Sequence, residues 1–240
     1  MKPIDFQNLV KLQAFRVTGT WELQIKKENE QICSEITHEM TSRDKTNRVL
    51  HLLGFKQIPK PFDSTYLSVM VEPIKQFQMY FFLVDRSDTN FFFYFNSQST
   101  RLIHGEDVIG WVGVYIRLLY RAFKNIDKLG IEMTNQFYFS SRVPKTKQKH
   151  LHSMNHSDLE PICLKHGYTL NYNNLSQWQI TIQQCPGLIL QIQCEKSNIL
   201  FGYRAVRALN EEWSSKGQLT TVALLHLNHI LRQAGKESVL

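Results

Sequence analysis

Five residues with lone pairs suited to a borderline metal crowd into one stretch of this chain: His150, His152, His156, Cys163 and His166. Zinc takes three or four nitrogen and sulfur ligands converging at bonding distance, and the set has the right atoms. Its spacing, HxHxxxH followed by CxxH, is not that of a zinc finger. The ordinary reading is a histidine-rich loop followed by a half-buried cysteine on a helix, and no metal or other cofactor is expected.

The same stretch is basic. No acidic residue stands between Glu132 and Asp158, while Arg142, Lys145, Lys147 and Lys149 supply four of the seven net positive charges, with His150, His152 and His156 beside them. A cationic loop meets phosphates without a preformed pocket, its lysines acting as point charges. Arg142, Lys145, Lys147, Lys149 and His150 are therefore the candidate contacts to nucleic acid or to another partner. Aromatic residues among those charges would indicate single-strand binding, but none follows Tyr138 and Phe139 in the segment. The alternative is a linker kept soluble by its charge.

Signals for catalysis are sparse. The four cysteines, Cys33, Cys163, Cys185 and Cys194, form no CxxC pair, which suits reduced thiols in a cytoplasmic protein. A nucleophilic cysteine needs a nearby histidine or helix N-terminus to hold its thiolate, and none of the four carries such a signature. Gln24 and Lys26 on a strand resemble the strand end of some metal-dependent nucleases. The acid such a site needs on a neighbouring strand is missing, because Asp5 falls in the first helix. Glu211 and Glu212 are adjacent and diverge on a helix, which makes them a poor acid–base pair. There is no Walker loop, GxGxxG, GxSxG or HExxH.

The elements that would position these groups are clearer. Phe77 to Phe95 reads FQMYFFLVDRSDTNFFFYF, two aromatic runs around a polar turn, and predicts a β-hairpin at the centre of a sheet. Tyr66 to Val71 precedes it as a strand. Thr20 to Lys26 alternates Trp21, Leu23 and Ile25 against polar residues, and a second alternating run around Ile32, Ser34 and Ile36 makes an edge hairpin with it. Ile4 to Phe15 suits a short helix, residues 38–48 a loop, and Arg48 to Leu53 a helix stopped by Gly54. The strongest helix is Glu106 to Lys128, whose stripe Ile109, Val112, Ile116, Leu119, Phe123 and Ile126 buries against the sheet.

Beyond the basic segment, Ser157 and Glu160 have capping-box spacing ahead of a helix ending at Gly167. Strands Gln177 to Gln183 and Leu188 to Cys194 follow, then a helix from Ser197 carrying Leu200, Tyr203, Val206, Leu209 and Trp213, and a last helix over Gln218 to Gln233. His226 and His229 lie one turn apart on that last helix, whose nearly all-round apolarity demands a cover. Helix, three strands and helix over residues 157–216 is also the order of a double-stranded RNA-binding domain, but Asn198, Ile199 and Leu200 stand where lysines are needed, and that family is not assigned.

The fold class expected is α+β: an antiparallel sheet packed by a long buried helix, then a smaller helix/β-hairpin/helix domain. Trp21, Leu23 and Ile25 echoed by Trp178, Ile180 and Ile182 suggests a duplicated α+β unit. The expected boundaries are 1–140 for the first domain, 141–156 for a basic linker or loop, and 157–240 for the second. The N-terminus lacks the apolar core of a secretory signal, and no stretch reaches the length of a membrane span. The function expected is a non-catalytic binding or adaptor subunit of a larger macromolecular assembly with a protein partner. The alternatives are a nucleic-acid-binding protein using residues 142–156 and an enzyme with an unrecognised site.

Overall fold

The computed structural model describes residues 8–11, 31–40, 42–60, 65–84, 90–98, 103, 105–134, 138–140, 143–173, 176–210 and 217–235. It divides into two compact units, Met1–Gly130 and Ile131–Leu240. The architecture is α+β, with one five-stranded antiparallel sheet in each unit.

In the first unit the chain runs β1 (Leu9–Lys11), helix α1 (residues 31–39), α2 (Arg43–Leu52), β2 (Lys56–Gln57), β3 (Thr65–Ile74), β4 (Phe77–Val84), β5 (Asn90–Asn96) and α3 (Gly105–Leu129). The sheet order is β1-β5-β4-β3-β2. Thus β1 lies at one edge and β2 at the other, with α1 and α2 between them among the described residues, and the meander from β2 to β5 returns to β1. The aromatic hairpin is central as expected. Phe81 lies edge-on to Phe55, Phe91 and Phe93 at centroid distances of 5.1 to 6.3 Å, on the face that also meets Tyr115 of α3. Arg48 of α2 donates to Asp127 of α3 at 2.6 Å and fixes the two helices.

The second unit runs β6 (Tyr138–Ser140), α4 (Lys145–His152), α5 (His156–His166), β7 (Thr169–Asn173), β8 (Ser176–Cys185), β9 (Leu188–Cys194), β10 (Ile199–Ala205), α6 (Arg207–Asn210) and α7 (Gly217–Gln233). Its sheet order is β6-β10-β9-β8-β7, the same topology as the first unit. The likeness extends to register. Lys11, Tyr94, Tyr80, Met70 and Lys56 form one cross-strand row, and Phe139, Gly202, Gln191, Thr181 and Thr169 form its counterpart. The helices before the edge strands match as well. Ser42 caps α2 through Lys45 N, Asn155 caps α5 through Asp158 N, and each helix ends on a glycine twelve residues after its cap. Gly54 and Gly167 are left-handed at φ 71° and 72°, and the next residue's N–H reaches back to Leu50 O and Cys163 O at 2.8 and 2.9 Å.

Several sequence-based expectations fail for local reasons. Residues 9–11 are a strand, not helix, because they pair with β5. The run around Ile32 and Ile36 is helical, and Cys33 and Ile36, both fully buried, are a helical i, i+3 pair. Residues 43–48, expected as loop, open α2, because Ser42 caps them. Residues 199–205 are a strand, not a helix, with Ile199, Phe201 and Ala205 buried and paired along β9. The second unit is therefore a full five-stranded sheet and not a helix/hairpin/helix domain. The capping box of α5 is Asn155 with Asp158, two residues ahead of the expected pair. The unit boundary falls after Gly130, and the segment expected as a 141–156 linker contains α4 inside the second unit. The Trp178 strand corresponds to β3, so its pairing with Trp21 matched the wrong elements. Residues 20–26 themselves lie outside the described residues, as do the 85–89 turn and Trp213.

Candidate functional site

Among the described residues the basic segment does not form one surface. Arg142 lies outside the described residues. On α4, Lys145 and Lys149 share an exposed face one turn apart, while Lys147 turns inward beside Leu151 and donates its ammonium to Asn228 Oδ1 on α7. The i, i+2 spacing that looked like a continuous charge run is about a half-turn on a helix, which explains the split. His150 is half-buried, and its backbone carbonyl receives Ser153 Oγ at 2.7 Å.

The ligand-bearing residues also scatter. His152 Nε2 donates to Glu195 O at 3.0 Å, whereas His156 lies 3.5 Å from the Glu160 carboxylate and stacks on Tyr172. Among the described residues no group of three histidines, cysteines or carboxylates converges as a metal site. All four cysteines are free thiols and buried. Burial pushes the thiols of Cys163, Cys185 and Cys194 up to about 11, 12 and 12, the reverse of what a nucleophile needs.

What the second unit does assemble is a buried polar cluster between α5, β8 and α7. Tyr168 follows Gly167, Gln184 is the last inward position of β8, and His226 and His229 lie one turn apart on α7. Gln184 Oε1 accepts from His226 Nε2–H, so His226 Nδ1 is an acceptor and takes the Tyr168 hydroxyl at 3.0 Å. His229 Nε2 and His166 Nε2 meet at 3.1 Å, one donating and the other accepting. His226 is fully buried and His229 is 2 % exposed. Burial, reinforced by the neighbouring histidines, pulls both imidazoles down to about 3.

The first unit fills the same places without this chemistry. Leu53 stands where His166 does, Phe55 where Tyr168 does, Pro73 where Gln184 does. Tyr115 takes the place of His226: it meets Phe55 edge-on at 5.6 Å and 80°, as His226 meets Tyr168 at 5.5 Å and 84°. Leu118 then matches His229, and Leu53, Tyr115 and Leu118 are all buried.

The outer sheet faces differ in the opposite sense. In the first unit Tyr80, Phe82 and Val84 are buried on the side of the sheet away from Phe81, packed with the partly exposed Leu9, Ile58, Met70, Phe92 and Tyr94. Phe82 and Tyr94 rings lie 5.5 Å apart. In the second unit the register places Thr181, Gln191, Gln193, Gly202 and Leu200 where Met70, Tyr80, Phe82, Tyr94 and Phe92 stand in the first.

Comparison with protein-family models, with curated proteins and with solved structures returns no match for this chain. Sequence reasoning missed the polar cluster because its members come from three elements. The available signal was two histidines one turn apart in an otherwise apolar helix.

Proposed function

We propose that this protein is a non-catalytic binding subunit of a larger macromolecular assembly, and that the aromatic outer face of its first sheet is the recruiting surface for a protein partner. The observation that supports this is the contrast between corresponding rows, Met70–Tyr80–Tyr94 against Thr181–Gln191–Gly202. A helix-backed antiparallel sheet needs one apolar face, and its other face ordinarily meets water. The second unit has the ordinary arrangement in the same topology and register. In the first unit Met70, Phe92 and Tyr94 are left partly exposed beside the buried Tyr80, Phe82 and Val84, and a partly exposed apolar rim of this kind supports an interaction surface.

The test is light scattering on the purified chain beside a Met70→Thr, Phe92→Thr, Tyr94→Thr variant. Without its partner the natural chain self-associates, while the variant is a monomer with unchanged melting. A variant that no longer melts cooperatively would make the face ordinary core and remove the support for recruitment.

A further inference from the structure

We propose that His166, Tyr168, Gln184, His226 and His229 form an acid-operated latch: proton uptake by the buried histidines frees α7 from α5 and opens the second unit while the first stays closed. This goes beyond the binding reading and stands without it.

The geometry limits the protons the cluster can hold. His226 gives Nε2–H to Gln184 and takes the Tyr168 hydroxyl on Nδ1, so a second proton on this ring has to turn that hydroxyl round. The facing Nε2 atoms of His166 and His229 hold one proton between them, and a second sets two N–H donors head to head at 3.1 Å. Among the described residues His229 Nδ1 is buried with no hydrogen-bond partner, so a proton arriving there meets no acceptor.

Among the described residues, the ionisable groups brought against the cluster are these. Helix α5 contributes Cys163, Lys165 and His166, and α7 adds Arg232. Lys147 of α4 reaches Asn228 on α7. The ionisable side chains on the sheet strands packed by α7 are Cys194 on β9 and Tyr203 and Arg204 on β10, and β8 brings Cys185 beside Gln184. Every one of these is neutral or cationic. The same fold closes in the first unit with Leu53, Phe55, Pro73, Tyr115 and Leu118, so closure does not require the polar set. A polar cluster where the fold accepts an apolar one has its best-attested use in specifying or switching a state.

The experiment is hydrogen exchange read by mass spectrometry on the full chain at about pH 7.5 and about pH 5, each rate divided by its intrinsic value. Protection across α5 and α7 should fall by about tenfold or more at the lower pH, while α2 and α3 keep theirs. A His166→Leu, Tyr168→Phe, His226→Tyr, His229→Leu variant should hold its protection at both values. If that variant does not fold, His229→Leu alone should retain a smaller acid response than the natural chain. An acid response of equal size in both units, or one undiminished by whichever variant folds, would overturn the latch.

Discussion

Phe55 and Tyr168 occupy the same place in two copies of one fold. Each follows a left-handed glycine, each sends its N–H back into the helix it leaves, and each lies edge-on to the long helix of its own unit. They differ by one hydroxyl, and that oxygen is what engages His226.

The stability of the second unit is predicted to depend on pH in the mildly acid range. His226 and His229 are held down to about 3 from an ordinary 6.5, so the unfolded chain binds more protons between those values. The stabilisation is complete above about pH 6.5 and is lost as pH falls toward 3. At pH 5 the loss is on the order of 2 kcal/mol for each histidine. Urea unfolding followed by unit at pH 7 and 5 checks it, the first unit serving as reference.

Phe81 is fully buried among Phe55, Phe91, Phe93 and Tyr115. Phe81→Ala should cost about 3–5 kcal/mol through lost transfer energy and the cavity left behind. Denaturant melting should show this in the first unit, and a cost below about 1 kcal/mol would contradict the placement of the core.

The three lysines of α4 should separate. Lys147→Ala removes the buried ammonium that donates to Asn228 Oδ1 and should cost about 1–3 kcal/mol. Lys145→Ala with Lys149→Ala should change stability by less than about 0.5 kcal/mol each, since both side chains are exposed. If the chain binds nucleic acid, that exposed pair and not Lys147 should set the salt dependence, measured by anisotropy at about 50 and 200 mM salt.

Two glycines should respond with opposite signs. Gly167 holds φ at 72° with open space where a Cβ would stand, so Gly167→Ala costs about 1–2 kcal/mol from backbone strain alone. Gly113 sits inside α3, also with open space, and Gly113→Ala should stabilise by roughly 0.5–1 kcal/mol. Thermal melting of the two variants distinguishes them.

Much of the fold was legible because it is local. The Phe77–Phe95 hairpin and α3 carry their periodicities within single stretches, and Gly54, Gly130, Gly167 and Gly235 each stop a helix in the left-handed conformation their positions suggest. What failed depends on pairing across the sheet. Ile199 to Ala205 has apolar residues at both helical and strand spacing, and only the ladder with β9 selects the strand. The duplication was expected from layout but aligned on Trp21 and Trp178, because the true counterparts differ in residue type: Val69 with Ile180, Phe55 with Tyr168, Tyr115 with His226. The polar cluster was hidden for the same reason, since Gln184 reads as turn until the strand alternation of Trp178, Ile180 and Ile182 carries it inward.

The recruiting role of the first sheet is tested most directly by a photoreactive benzoylphenylalanine placed at position 92 and, separately, at position 200, its counterpart in the second unit, with crosslinks read from living cells. The account predicts a crosslink to a second polypeptide from position 92 and none from position 200. Crosslinks from position 92 that stay within the same chain would contradict it.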